Sequence, residues 1–140
     1  GGLVACTSSV VGFIGIFGYT AYAGPKFSLI GFAESLRQEF IQRKIQVSVL
    51  CPPDTETPGY IEENKTKPYE TQVLSENAKL MSAEQVAQKF TKKVEKGKFI
   101  ITCNAESWMF YHLKGIWPSL VFFVIKGIIK KAQKKFNKAR

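Results

Sequence analysis

Tyr22 and Lys26 are four positions apart, and Ser9 stands 13 positions before the tyrosine. On a helix such a pair shares one face, one turn apart. The chemistry this could serve is protonation of a carbonyl oxygen. A phenol of pKa ~10 is too weak an acid near neutrality unless a neighbouring cation favours its phenolate, and a lysine one turn away supplies that cation. A serine hydroxyl facing the pair could hold the same oxygen by donating a hydrogen bond. Taken alone the spacing says little, because tyrosine and lysine are common in this chain. The bland alternative is a surface-facing pair and a strand-end serine that caps a turn. The setting gives the three residues weight, since the sequence predicts an element to position each of them.

Residues 2–7 form an apolar run ending in Thr7-Ser8-Ser9, a buried strand that delivers hydroxyls at its C-terminal end. From Tyr19 to Arg43 the apolar positions Tyr22, Phe27, Ile30, Phe32, Ala33, Leu36, Phe40 and Ile41 recur at helical intervals. Pro25 is compatible with this helix only in its first turn, which places the start near Ala21 to Ala23. Gln46–Cys51 alternates and runs into Pro52-Pro53, a second strand. Strand, long helix and strand make a βαβ unit with parallel strands. Between them, residues 10–18 carry Gly12, Gly15 and Gly18 and read as a loop. Their spacing does not match a dinucleotide fingerprint; they suit a backbone that must pass close to a ligand or a helix. Residues 52–80 read as an exposed connection with a short helix at most. Ser82-Ala-Glu-Gln85 is a capping box opening a helix through about Glu95, closed by Gly97, and Phe99–Cys103 is a third strand. No internal repeat is visible, and the only biased stretch is the lysine-rich tail.

With 140 residues, 45% of them hydrophobic, the chain has material for one core. The formal charge of +9 belongs to the tail: residues 1–106 hold 12 basic and 11 acidic side chains, whereas 107–140 hold 8 basic and none acidic. A basic tail mixed with Trp, Phe and Ile suits an anionic phospholipid surface, so no nucleic acid is expected as a partner. Cys6, Cys51 and Cys103 are odd in number, widely spaced and without metal-ligand spacing. They read as reduced structural thiols with no metal among them. The chain starts on strand-like residues without an initiator Met, so the expectation is a segment cut from a longer protein.

The ordered set Ser9, Tyr22, Lys26 and the proline turn after the next strand resembles the short-chain dehydrogenase/reductase family. The resemblance covers Gly2 to about Phe99. Within the family, Pro52-Pro-Asp-Thr-Glu-Thr-Pro-Gly59 and Glu62-Glu-Asn-Lys-Thr-Lys-Pro68 are similar to the branch that reduces the keto group of a long-chain sphingoid base with NADPH, on the cytosolic face of the endoplasmic reticulum membrane. It implies an α/β, Rossmann-like, doubly wound parallel sheet of which residues 1–106 are the C-terminal half. It also implies catalytic roles for Ser9 as carbonyl-orienting hydroxyl, Tyr22 as acid and Lys26 as its cation, with Tyr22, Lys26, Pro52, Thr55 and Thr57 meeting the nicotinamide end of NADPH. Pro53 replaces the glycine usual in the turn, and Pro25 stands among the small residues that usually precede the lysine. The family's glycine-rich turn and upstream asparagine have no counterpart, so this segment by itself is expected to be inactive.

Residues 107–140 form the second predicted unit, a basic, apolar tail. Its longest uncharged run is 11 residues, short of the ~20 needed to span a bilayer. On a helical wheel Lys126, Lys130, Lys131, Lys134, Lys135 and Lys138 occupy one half, and Val121, Phe122, Ile125, Ile128, Ile129 and Phe136 the other, the pattern of an interfacial helix. The alternative is that this apolar face packs on the protein's own core. A homodimer through the 19–43 helix is a further expectation. Two other functions stay open: another lipid-directed reductase, acting on a steroid, retinoid or 3-ketoacyl chain, and a non-catalytic membrane-bound module.

Overall fold

The computed structural model describes residues 1–76 and 78–138. Strand β1 (Gly2–Thr7) leads through a 3-10 turn at Val10–Gly12 into helix α1 (Thr20–Glu39), which crosses over to β2 (Ile45–Cys51). Then come β3 (Thr55–Glu56), α2 (Pro58–Thr66), α3 (Tyr69–Ser75), β4 (Met81–Ser82), α4 (Ala83–Val94), β5 (Ile100–Thr102), α5 (Ala105–Ile116) and α6 (Pro118–Lys138). The main sheet is all parallel in the order β1-β2-β5, with Gly2 beside Ile45, Thr7 beside Leu50 and Val49 beside Ile100. A second, small ladder pairs β3 with β4, Thr55 beside Met81.

Strand β2 is central and buried on both faces, as a parallel strand covered by helices must be. Val47, Ser48, Val49 and Cys51 are all at most 3% exposed. Ser48 is the polar exception, and it is satisfied: its hydroxyl donates to the Lys98 carbonyl at 2.9 Å and accepts from Gln46 Nε2 at 3.1 Å. The core around β2 gathers Phe13, Ile14 and Ala33 from the β1–α1 side and Val121 from α6. Residues 10–18 are therefore more than a loop, because Phe13 and Ile14 are core residues.

Several expectations are corrected. Helix α1 begins at Thr20, so Pro25 lies in its second turn, and the Ala21 carbonyl loses the N–H that residue 25 would otherwise give it. Only part of the helix's apolar pattern faces the sheet. Ala33 is fully buried, with Ile30, Leu36 and Phe40 packed nearby, whereas Tyr22, Phe27 and Phe32 are exposed. The 52–80 connection holds two helices; its overlooked signal is Thr57-Pro58, an N-cap followed by proline at the first helical position. The capping box at Ser82 and Gln85 forms, and Gly97 closes that turn with φ of 67°.

The tail is two helices broken at Pro118, and the expected boundary at 106/107 falls inside α5. Much of the face assigned to a membrane packs on the protein itself: Val121 is 2% exposed in the main core, and Ile125 packs against that core. Helix α6 is tied to α3 by Gln133 donating to Glu70 and by the Tyr69–Phe136 ring contact at 5.3 Å. No helix among the described residues is long and apolar enough to cross a membrane.

Candidate active site

The hydrogen bonding between β1 and β2 continues past their ends. Ser8 N–H donates to Leu50 O at 2.8 Å and Val10 N–H to Pro52 O at 3.1 Å, which sets Ser9 beside the proline turn at the sheet's carboxyl edge. That edge is where open α/β sheets place ligands. Ser9 caps the 3-10 turn, its Oγ accepting from Val11 N–H at 3.2 Å. A hydroxyl that accepts in this way keeps its own proton to give.

Helix α1 is fastened to the same edge. Ser8 Oγ donates to the Lys26 carbonyl at 2.7 Å, and Lys26 Nζ donates to Thr7 O at 3.3 Å. The ammonium then stands 5.4 Å from the centre of the Tyr22 ring. Gly12 makes this approach possible: a Cβ there would lie 2.1 Å from Ser8 Oγ and 2.8 Å from Lys26 O. Gly18 does the same on the other side, with φ of 81° and a Cβ position 2.9 Å from Thr71 Oγ1, the hydroxyl that donates to Phe17 O.

A polar chamber of about 390 Å³ opens at this edge, and Ser9, Tyr22, Lys26, Pro52, Thr55 and Thr57 all line it. The two threonines also organise their own backbone. Thr57 Oγ1 caps α2 by accepting from Tyr60 N–H at 3.2 Å, and Thr55 Oγ1 donates to Pro53 O at 2.8 Å.

Four further side chains of this chamber, and one behind it, are not among the residues predicted from sequence. Tyr19, Asp54, Tyr60 and Glu63 line the chamber. The Tyr19 phenol donates to Glu63 Oε1, and Lys67 Nζ lies 3.2 Å from the same oxygen. Burial, reinforced by the bond to Glu63, pushes the Tyr19 phenol far above the usual tyrosine range, so it stays a neutral donor. Lys67 sits behind the wall, its side chain 1% exposed, its ammonium 4.9 Å from the Tyr60 ring centre and 6.0 Å from that of Tyr19. Their spacing is visible in the sequence, Tyr19 three residues before Tyr22 and Glu63 and Lys67 four apart inside the 62–68 motif, but nothing local marks them as one group.

At Ser9, Val11, Tyr19, Pro52, Pro53 and Asp54 the polar chamber shares its wall with a second, apolar one of about 500 Å³. Ile14, Leu74, Phe110, Leu113, Val121, Ile125 and Ile128 line the apolar chamber. A site of this size and lining suits a ligand with a long hydrocarbon arm and few polar atoms. Among the described residues no cluster of three or more His, Cys, Asp or Glu side chains could hold a metal ion.

Comparison with known proteins agrees with this geometry. The family model described as short chain dehydrogenase matches residues 1–68. The chain is 45% identical over 108 residues to a 3-dehydrosphinganine reductase of Danio rerio and 43% identical over 108 residues to a 3-ketodihydrosphingosine reductase of Bos taurus, in each case 77% of this chain and 32% of the relative. A 3-dehydrosphinganine reductase of Arabidopsis thaliana aligns over 96% of this chain and 43% of its own length at 41% identity. The chain thus spans about a third to two fifths of the length of these relatives. Among solved structures, a short chain dehydrogenase of Burkholderia cenocepacia in complex with NADP superposes with a TM-score of 0.72 at 11% identity, over 89% of this chain and 47% of that one. One from Sphingobium yanoikuyae in complex with NADPH gives 0.64 at 17%, over 85% and 44%. The sheet order, the placement of Ser9, Tyr22 and Lys26 at its carboxyl edge and these matches together place the chain in the short-chain dehydrogenase/reductase family.

Proposed function

We propose that this chain is the catalytic and substrate-binding part of an NADPH-dependent reductase that converts the keto group of 3-ketodihydrosphingosine to the hydroxyl of dihydrosphingosine in sphingolipid synthesis. The observation that carries the reading is the meeting of the two chambers at Ser9. One holds every residue predicted for the chemistry; the other is a larger, apolar space. A carbonyl held at the junction by the Ser9 hydroxyl would turn its alkyl arm into the apolar chamber. Tyr22 then gives its phenolic proton to the carbonyl oxygen as that oxygen gains charge, and the Lys26 ammonium stabilises the phenolate left behind.

The polar residues around the junction fit the nicotinamide end of the cofactor, with Lys26 and Tyr22 facing a ribose and Pro52, Thr55 and Thr57 a carboxamide. The bound cofactor supplies the hydride. In the full-length protein, NADPH oxidation driven by 3-ketodihydrosphingosine should be lost in Tyr22→Phe, by about a hundred-fold or more, while NADPH affinity is retained. Undiminished turnover by this variant would refute the reading.

The membrane part of the proposal, at the cytosolic face of the endoplasmic reticulum, rests on a different surface from the one the helical wheel favours. Ile116, Trp117 and Phe123 at the α5–α6 corner are 82%, 62% and 75% exposed, and Leu120 and Val124 beside them line the apolar chamber. Apolar side chains at the mouth of a lipid-sized chamber, with Lys114 and Lys126 nearby for anionic headgroups, suit an interfacial contact. Flotation with anionic vesicles that is weakened by Trp117→Ser and Phe123→Ser together would support it; unchanged flotation would not. A second copy along the 19–43 helix, where Phe27 and Phe32 are exposed, completes the proposed partners.

A further inference from the structure

We infer that Asp54 recognises the ammonium group of a 2-amino ketone, on the wall that the polar and apolar chambers share with Ser9. The inference rests on the reductase reading and names the residue that would select an amino ketone over a plain one. In such a substrate the amine-bearing carbon is bonded directly to the carbonyl carbon. Once Ser9 fixes the carbonyl and the alkyl arm enters the apolar chamber, the ammonium must lie within a few ångströms of the junction, on its polar side. Asp54 and Glu63 are the carboxylates lining that side.

The two carboxylates are not equivalent. Glu63 is already engaged, accepting from Tyr19 and ion-paired with Lys67 at 3.2 Å. Asp54 is half-buried, hydrogen-bonded to Ser75, and has no ion pair among the described residues; burial raises its carboxyl above the usual range, although the charge of Lys67 pulls the other way. Lys26, the other cation of this chamber, is turned towards Thr7 O and the Tyr22 ring, so of the two carboxylates Asp54 is the one left to meet a cationic ligand. Lys67 Nζ, buried behind the same wall, has no hydrogen-bond acceptor of good geometry among the described residues; its missing partner is an acceptor oxygen, such as that of a water or a hydroxyl, and not the ammonium. The backbone of Asp54 is set at the start of the β3–β4 ladder, its carbonyl accepting from Met81 N–H at 3.1 Å.

The test uses the full-length protein with NADPH and two ketones of equal chain length, one bearing the 2-amino group and one lacking it. Asp54→Asn keeps the shape and an acceptor for Ser75 and removes only the charge. A charge-assisted hydrogen bond is worth enough that the preference for the amino ketone, as a ratio of kcat/KM, should fall about ten- to a hundred-fold, chiefly through KM. An unchanged ratio in a variant of normal melting temperature would overturn the assignment of Asp54 and leave the reductase reading standing. Equal loss on both ketones would overturn it too, marking a structural role. Failure of the wild type to reduce either ketone would instead overturn the reductase reading, and this assignment with it.

Discussion

The two sides of the site are built differently. The side that carries the chemistry is local and rigid: Ser9, Tyr22 and Lys26 come from one strand, one turn and one helix, fastened by Ser8 Oγ to Lys26 O and Lys26 Nζ to Thr7 O. The side that meets the substrate is assembled from distant segments. Asp54 follows β2, Glu63 and Lys67 lie in and just after α2, Leu74 is on α3, and Val121 and Ile125 are on α6. The comparison teaches that one wall can stay constant while the other varies. The catalytic wall needs a few exact hydrogen bonds over a short stretch of chain, whereas the recognition wall is held mainly by apolar packing, which tolerates change of shape as long as volume is kept.

Four measurements would break or sharpen this contrast. Lys26→Ala should have the largest effect, about a hundred-fold or more on turnover, together with weaker NADPH binding, because one ammonium faces both Tyr22 and the proposed ribose site. Equilibrium titration beside steady-state kinetics separates the two losses; a change in only one would split the shared role. Gly12→Ala comes next. Its new methyl must displace Ser8 Oγ or the Lys26 carbonyl, so denaturant unfolding should show a loss on the order of 1–3 kcal/mol and activity should fall with it. If stability is unchanged, the close approach of turn and helix is not what holds the catalytic wall.

On the other wall, Val121→Ala should cost about 1–2 kcal/mol by removing buried apolar surface. Phe123→Ser, two residues along the same helix but 75% exposed, should stay within about 0.5 kcal/mol. Equal, small effects would mean that α6 does not belong to the core. The smallest effect is expected at Cys51, behind the junction. Burial, with Cys103 nearby, pushes its thiol from 9.0 up to about 12, so it should resist maleimide at pH 8 in the native protein and react on unfolding. The sign for stability follows: the folded state holds the proton more tightly than the unfolded chain, so its contribution is present below pH 9 and is lost progressively as pH rises towards 12. Alkaline denaturation of Cys51→Ala should lack that component.

What the sequence determined by itself was whatever depends on short separations. The parallel strands expected at 2–7 and 46–51, the long helix between them, the Ser82 capping box and the convergence of Ser9, Tyr22 and Lys26 were all legible, because strand period, helix period and a turn of hydrogen bonds act over a few residues. Even there Pro25 misled by one turn, since packing of α1 against the Gly12 turn outweighed the local cost of an interior proline. Tertiary structure alone decided the rest. A helical wheel shows that α6 has an apolar face but not what covers that face; Val121 and Ile125 of it join the main core, and α3 and α5 pack against the helix, while Phe122 and Phe136 stay exposed. Likewise Asp54, Glu63 and Lys67 are ordinary charges in a polar stretch of sequence; only the folding of α2 and α3 against Tyr19 and Phe17 buries a lysine, pairs it with one carboxylate and leaves the other at the junction. Burial and charge balance are properties of side chains far apart in sequence, and no local period records them.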